Sequence, residues 1–182
     1  MDNNDQLVAD LLKKEAIHYQ NGELDLSIEC LRKASSILRE AAKKADTARC
    51  LNNLGLTLVE HKDFEEASDV FHEALKIFME LGFLEDQAQQ LGNIGSVYRD
   101  IKQYGRALQH YNEALAIYER TGNDLGKANQ FSNIAYINFA QGDYQLALEN
   151  YSKAQLLYST LGNDECLKLC DQNIDLIVDK YL

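Results

Sequence analysis

An internal repeat of 40 residues constrains this chain more than any other feature of its sequence. The motif Leu51-Asn-Asn-Leu-Gly55 recurs as Leu91-Gly-Asn-Ile-Gly95 and again as Phe131-Ser-Asn-Ile-Ala135. The same offset relates an aromatic, an alanine and a glycine position: Phe71, Tyr111 and Tyr151; Ala74, Ala114 and Ala154; Gly82, Gly122 and Gly162. A fixed period of this length indicates a repeat architecture, in which each unit buries its apolar face against its neighbours.

Each unit is predicted to form two helices joined by a short polar turn. Apolar residues recur at helical spacing before and after turns such as His61-Lys-Asp63. Gly82 and its copies follow each second helix, where glycine adopts the left-handed conformation without steric penalty. The sequence of 182 residues contains no proline, the strongest helix breaker, so it can be helical nearly throughout.

The order of large, small and aromatic positions resembles the tetratricopeptide repeat (TPR). It is seen in Leu51-x2-Leu54-Gly55-x2-Leu58 followed by Ala67-x3-Phe71-x2-Ala74, and the resemblance covers residues 8–161. Each unit is about six residues longer than the usual repeat of about 34 and lacks its terminal proline. It is similar in this to the repeats of kinesin light chains, cell-polarity adaptors and bacterial peptide-pheromone receptors. The resemblance implies an all-α fold, a right-handed α-α superhelix (TPR solenoid) of nine helices.

We expect one array over 1–182 with no second domain. Its expected parts are a degenerate first repeat (8–41), three regular repeats (48–81, 88–121 and 128–161) and a C-terminal capping helix (164–182). Polar residues in the first copy fit a terminal repeat, which has only one neighbour. An alternative for the last helix is a homodimer contact through Ile177, Val178, Tyr181 and Leu182, and the first repeat could also stack on a second copy.

The TPR resemblance places the first helix of each pair on a concave wall. The sixth position of each first helix, counted from residues 8, 48, 88 and 128, holds Lys13, Asn53, Asn93 and Asn133, and one more step of 40 residues reaches Asn173. An amide has donors and an acceptor, so this ladder could hold the backbone of an extended peptide. The alternative is that the asparagines bond to an adjacent repeat. Other wall residues expected to contact a ligand are Arg49, Asn52, Leu56, Gln89, Ser96, Arg99, Asn129, Ser132, Tyr136 and Phe139.

One TPR subtype binds the C-terminal carboxylate of heat-shock chaperones through a Lys/Asn/Asn/Lys/Arg clamp. In repeats two to four the clamp positions hold Asn52, Leu56, Asn93, Asn129 and Asn133. In repeats one to three they hold Leu12, Ala16, Asn53, Gln89 and Asn93. The clamp cations are missing in both frames, which disfavours a free carboxylate as the ligand.

The charge excludes two classes of partner. The chain has 18 basic and 29 acidic residues, a net charge of −11, which argues against nucleic acid and against an anionic membrane. Many acidic residues, including Glu66, Glu73 and Glu80, fall on second helices. We expect them to form a solvated outer surface, with a basic partner as the weaker alternative.

The sequence carries no metal, cofactor or enzyme signature. The four cysteines (Cys30, Cys50, Cys166 and Cys170) lack zinc spacing and are expected to be buried free thiols in a reducing cytoplasm. The N-terminal residues are acidic rather than signal-like, and no apolar stretch reaches the length of a membrane span. Phosphate-binding, hydrolase and metalloprotease motifs are absent, so we predict a protein that is not an enzyme.

The favoured function is a scaffold or adaptor that binds an extended peptide or short helix in its concave groove. A self-assembly module and a peptide-sensing regulatory receptor are the alternatives. The receptor would need an effector domain on another chain.

Overall fold

The structure is a computed structural model that describes residues 3–181, with side chains from residue 4 onward. Within that range the chain forms nine α-helices and no strand. They are α1 (Asn3–Gln20), α2 (Leu24–Glu40), α3 (Lys44–His61), α4 (Phe64–Leu81), α5 (Leu84–Asp100), α6 (Tyr104–Thr121), α7 (Asp124–Gln141), α8 (Tyr144–Leu161) and α9 (Asp164–Tyr181). The all-α prediction is therefore confirmed. Helices α3, α5 and α7 each begin four residues before the repeat starts expected at 48, 88 and 128.

The predicted glycine ends of the second helices are confirmed. Gly82, Gly122 and Gly162 have φ of 72°, 71° and 67°, in the left-handed region where a side chain is strained. The asparagine after two of these glycines also caps the next helix. Asn123 Oδ1 accepts a hydrogen bond from the Gly126 amide at 2.8 Å, and Asn163 Oδ1 accepts one from the Cys166 amide at 3.2 Å.

The chain divides into two compact units, and the division falls near the end of α5. Unit 1 comprises residues 1–97 and unit 2 comprises residues 98–182. In unit 1, neighbouring helices from α1 to α4 pack against each other. Its core contains Leu31, Leu58, Phe71 and Phe78, all almost fully buried.

Close helix approach in unit 1 depends on a small residue of the repeat signature. A Cβ atom added at Gly55 would lie 2.4 Å from the Phe71 ring, so α3 and α4 meet where no side chain fits. Ala67 and Ala74 of α4 are fully buried in the same unit. This is the contact that the alternation of small and aromatic positions predicts.

The core of unit 2 repeats this scheme with tyrosines. Tyr151 and Tyr158 of α8 are buried among alanines and against Cys170 and Ile177 of α9. Tyr181 stacks on Tyr144 with ring centroids 4.3 Å apart. Helix α9 therefore packs against α8 within unit 2. Leu182, part of the expected homodimer contact, lies outside the described residues.

The outer helices of unit 1 are joined by ion pairs. Arg32 contacts both carboxylate oxygens of Glu66 at 2.7 Å, and Arg39 contacts Glu73 at 2.6 Å. Glu80 pairs with Lys44 at 2.8 Å. Glu73 and Glu80 are exposed and Glu66 is half-buried, and all three have basic partners within the same unit.

Candidate functional site

The predicted wall residues divide by exposure. The exposed ones are Arg49, Asn53, Leu56, Gln89, Asn129 and Tyr136. The half-buried ones are Asn52, Asn93, Ser96, Arg99, Ser132, Asn133, Phe139 and Asn173. None of these residues is buried.

An amide network joins α3 to α5 in unit 1. Asn52 Oδ1 accepts hydrogen bonds from Asn93 Nδ2 at 3.0 Å and from Gln90 Nε2 at 2.9 Å. Asn52 Nδ2 donates to Asn53 Oδ1 at 3.3 Å. The predicted wall residues of the two helices are therefore neighbours, and Asn93 uses part of its amide within the protein.

Besides the buried Gln90 Oε1, two more accessible polar atoms of this network have no hydrogen-bond partner among the residues that the structure describes. They are Asn53 Nδ2, a donor, and Asn93 Oδ1, an acceptor. One donor and one acceptor on adjacent helices are what a peptide backbone requires. We call Asn52, Asn53 and Asn93 the amide patch.

Sequence reasoning missed Gln90, which anchors the amide patch. Its side chain is fully buried and Oε1 has no partner in the described structure. Gln90 occupies the repeat position of Cys50 and Gln130, also buried. A polar amide at an otherwise buried repeat position was the available signal.

In unit 2 the equivalent asparagine has a charged partner. Arg99 Nη1 donates to Asn133 Oδ1 at 3.4 Å, and Arg99 Nε donates to Asp100 at 2.9 Å. The guanidinium also lies 5.7 Å from the centroid of the exposed Tyr136 ring. Arg99 therefore fixes Asn133 and Tyr136 together.

Other predicted wall residues of unit 2 make internal contacts. Asn129 Oδ1 accepts a hydrogen bond from the Tyr158 hydroxyl at 2.7 Å. Burial raises the pKa of Tyr158 above its ordinary range. Ser132 forms a hydrogen bond with the thiol of Cys170. Asn129 and Ser132 thus provide hydrogen-bond partners for the buried Tyr158 hydroxyl and Cys170 thiol. Asn173 has no hydrogen-bond partner among the described residues.

In unit 1, Arg49 Nη1 lies 3.5 Å from Asp46, and Ser96 Oγ donates to the Gly92 carbonyl at 3.1 Å. Arg49 and Asn53 also line a cavity of about 330 Å³. Among the described residues, its lining comprises Asp5, Val8, Ala9, Leu12, Leu38, Lys43, Asp46, Arg49, Cys50 and Asn53. The cavity thus joins predicted wall residues to the degenerate first repeat.

The thiols differ from the expectation in part. Cys50 and Cys170 are buried, but Cys30 and Cys166 are only half-buried, because they lie at helix positions that the neighbouring helices cover incompletely. Burial raises the pKa of Cys50 to about 11. Within residues 3–181 no three His, Cys, Asp or Glu side chains are placed to hold a metal ion. No helix in the described part of the chain combines the length and apolarity needed to cross a membrane.

Solved structures share this fold at low sequence identity. The apo form of RapI is 22% identical with a TM-score of 0.87. The aligned region covers 97% of this chain and 64% of the RapI chain. Aspartyl phosphate phosphatase F from Bacillus subtilis is 19% identical with a TM-score of 0.90. The aligned region covers 99% of this chain and 47% of the phosphatase chain. This chain therefore spans under two thirds of both neighbours.

A third solved structure supports the TPR resemblance. The putative kinesin light chain repeats of Podosopora anserina, described as TPR-like, are 14% identical with a TM-score of 0.78, over 98% of this chain and 88% of theirs. At these identities the likeness shows the fold alone, and it confirms the TPR-like solenoid class. No curated protein matches the chain.

A family model matches most of the sequence. The model is SNAP, soluble NSF attachment protein, and the match covers residues 3–162, which includes all four helix pairs. The repeat signature indicates TPR-like repeats but does not by itself indicate this family. The chain belongs to the SNAP family of TPR-like helical repeat proteins.

Proposed function

We propose that this protein is a non-enzymatic adaptor that binds an extended peptide segment of a partner protein on its first helices. The observation that carries the proposal is the pair of unused polar atoms in the amide patch, Asn53 Nδ2 and Asn93 Oδ1. They would pair with the C=O and N–H of one peptide backbone, which gives affinity without dictating sequence.

The family supports a protein partner. Its name describes a soluble attachment protein for NSF, and an attachment role is carried by a binding surface. The TPR-like fold is consistent with a protein-interaction role. We place the function in a single array of four repeats and a cap over 8–182, and a peptide-sensing receptor would use the same surface.

The internal hydrogen bonds refine which wall residues should bind. Asn129 Oδ1 and Ser132 have partners inside unit 2, which leaves Asn129 Nδ2 as the atom of this pair that could contact a ligand. Arg49 and Gln89 are exposed, and Tyr136 is 48% exposed beside Arg99. In unit 1, side-chain recognition therefore falls to Arg49 and Gln89 while the amide patch holds the backbone, and in unit 2 the candidates for side-chain recognition are Arg99 and Tyr136.

The test is a selection of random peptides displayed on phage against the immobilised protein. The affinity of the most enriched peptide is then measured by calorimetry for wild type, Asn53→Ala and Asn112→Ala. Asn53→Ala should weaken binding about five- to tenfold, the loss of one hydrogen bond. Asn112 is the matched control because it is exposed on a second helix, α6. Equal affinities for all three proteins, or no enriched peptide, would refute the proposal.

Self-association through α9 is the second candidate. Leu169 and Val178 are 54% and 50% exposed on this helix, although Ile177 is buried within unit 2. Multi-angle light scattering across a wide concentration range tests it. A dimer that disappears in Val178→Glu supports this candidate, and a monomer at all concentrations eliminates it.

A further inference from the structure

We propose that the cavity of unit 1 is a pocket for one bulky apolar side chain of a bound peptide. The pocket rests on the proposed function, because the same peptide would lie on the amide patch. Asn53 belongs to both sites, since it lines the cavity and bonds to Asn52.

The floor of the cavity is apolar. Val8, Leu38 and Cys50 are buried there, and Ala9 and Leu12 of α1 are half-buried beside them. The volume of about 330 Å³ lies at the lower end of the range for ligand pockets. It equals about ten water molecules at ~30 Å³ each, which suits one leucine or aromatic side chain rather than a large cofactor.

The repeat offset shows that this floor is specific to the first repeat. Ala9 occupies the wall position that holds Arg49, Gln89 and Asn129 in the later repeats. Leu12 occupies the position that holds Asn52, Gly92 and Ser132. The wall therefore changes from polar or small to apolar in the degenerate repeat, which is where the cavity lies.

The rim of the cavity selects a neutral insert. Lys43 pairs with Asp5, and Arg49 lies 3.5 Å from Asp46, so two cations face two carboxylates. A charged side chain would lose its hydration here without meeting an uncompensated opposite charge. An apolar side chain incurs no such cost. The amide nitrogen of Asn53 is then placed to donate to a backbone carbonyl of the same residue.

The pocket is tested directly with capped amino acids as probes. N-acetyl-phenylalaninamide and N-acetyl-leucinamide are titrated into the full chain, with N-acetyl-glycinamide as the probe control, and methyl NMR spectra are recorded. The bulky probes should shift the methyl signals of Val8, Leu12 and Leu38 saturably, and the glycine probe should not. No saturable shift at these methyls in the wild-type protein would overturn the proposal.

A matched pair of variants locates the probe. Ala9→Phe fills the cavity and should abolish the shifts, whereas Ala16→Phe makes the same change on α1 at an exposed position outside the lining and should preserve them. Shifts that persist in a folded Ala9→Phe protein would contradict the pocket. If Ala9→Phe does not fold, the wild-type titration decides.

An alanine scan of the phage-selected peptide separates this proposal from the proposed function. Replacing one apolar residue of the peptide by alanine should weaken its binding to the wild-type protein at least tenfold. The same replacement should weaken binding to the Ala9→Phe protein less than twofold. A peptide that binds but shows no such position refutes the pocket and leaves the adaptor. Saturable probe shifts without any selected peptide support the pocket and refute the adaptor.

Discussion

The two units present the same repeated asparagine in different settings. In unit 1, Asn93 donates to another amide, Asn52, which also binds the buried Gln90. In unit 2, Asn133 accepts from the guanidinium of Arg99. A repeat period therefore fixes where a side chain stands but not which atom of it is used. Asn93 keeps its oxygen available, whereas Asn133 uses its oxygen internally and keeps its nitrogen.

The aromatic cores of the units differ in the same way. Unit 1 buries Phe71 and Phe78, while the copies in unit 2 are Tyr151 and Tyr158. A buried tyrosine needs a partner for its hydroxyl, and Tyr158 recruits the wall residue Asn129. Unit 2 thus uses a potential binding residue to satisfy its core. In unit 1 these positions hold phenylalanines, which need no such partner, although Asn52 accepts a hydrogen bond from the buried Gln90.

The largest expected difference between the cores appears at high pH. Burial raises the pKa of Tyr151 to about 12 from 10.0, so the folded state holds the phenol neutral. The contribution of the buried phenol to the free energy of unfolding is fully present below pH 10. It is lost as the pH rises from about 10 to 12, by at most about 2–3 kcal/mol. Thermal melts at pH 8 and pH 11 should show a smaller loss for Tyr151→Phe than for wild type. Equal losses would contradict the buried-phenol account.

Unit 1 should respond to pH in a lower window. Its aromatic copy, Phe71, cannot ionise, but burial raises the pKa of Cys50 to about 11 from 9.0. The contribution of the buried Cys50 thiol to the free energy of unfolding is lost as the pH rises from about 9 to 11. The same raised pKa should make Cys50 slow to react with iodoacetamide at pH 8, whereas the half-buried Cys30 reacts faster. Mass spectrometry of alkylated peptides checks this order.

Gly55→Ala should destabilise unit 1 by about 1–3 kcal/mol, because the new Cβ would lie 2.4 Å from the Phe71 ring. In unit 2 the repeat copy of Gly55 is already an alanine, Ala135, which is buried without that restriction. Gly105→Ala is the matched control, since nothing lies within 4 Å of its added Cβ. The control should stabilise α6 by about 0.5–1 kcal/mol. Urea denaturation measures both, and a neutral Gly55→Ala would show that α3 and α4 pack less closely.

Removing each asparagine's partner tests the comparison itself. Asn52→Ala leaves the buried Gln90 amide without its acceptor and should cost about 1–2 kcal/mol. Arg99→Ala removes the longer contact of 3.4 Å with Asn133 together with the Asp100 ion pair and the Tyr136 ring contact, and should cost about 1 kcal/mol or less because none of these groups is fully buried. A larger loss for Arg99→Ala would reverse the ranking. Hydrogen exchange should place the losses in unit 1 and unit 2 respectively.

The smallest expected effect concerns the ion pairs of unit 1. Arg32→Ala removes an exposed bidentate contact with Glu66 and should cost about 0.2–1 kcal/mol at low salt. The difference should fade as ionic strength rises, since the Debye length is about 3 Å at 1 M salt. Melting curves at low and high salt check this. A cost independent of salt would show that Arg32 acts through packing instead.

Helices were predictable from the sequence because apolar spacing and glycine ends act locally. The helix end at Gly82 follows from the repeat signature, whereas the close contact of Gly55 with the Phe71 ring became visible only in the structure. The partners of Asn52 and Asn129 did not follow, because an amide can donate or accept and its partner depends on how neighbouring helices are rotated. The cavity was not predictable from the sequence for a different reason. The polar residues of the first repeat indicated a terminal repeat, and Ala9 and Leu12 carry no pattern that indicates a cavity.

The central claim is that the amide patch of unit 1 contacts a peptide backbone. The most direct measurement is a titration of the ¹⁵N-labelled protein with the phage-selected peptide, following the side-chain amide signals. The account predicts saturable shifts for Asn53 and Asn93, with little change for Asn112 on the outer helix α6. Shifts at Asn112 with none at Asn53 and Asn93 would contradict it.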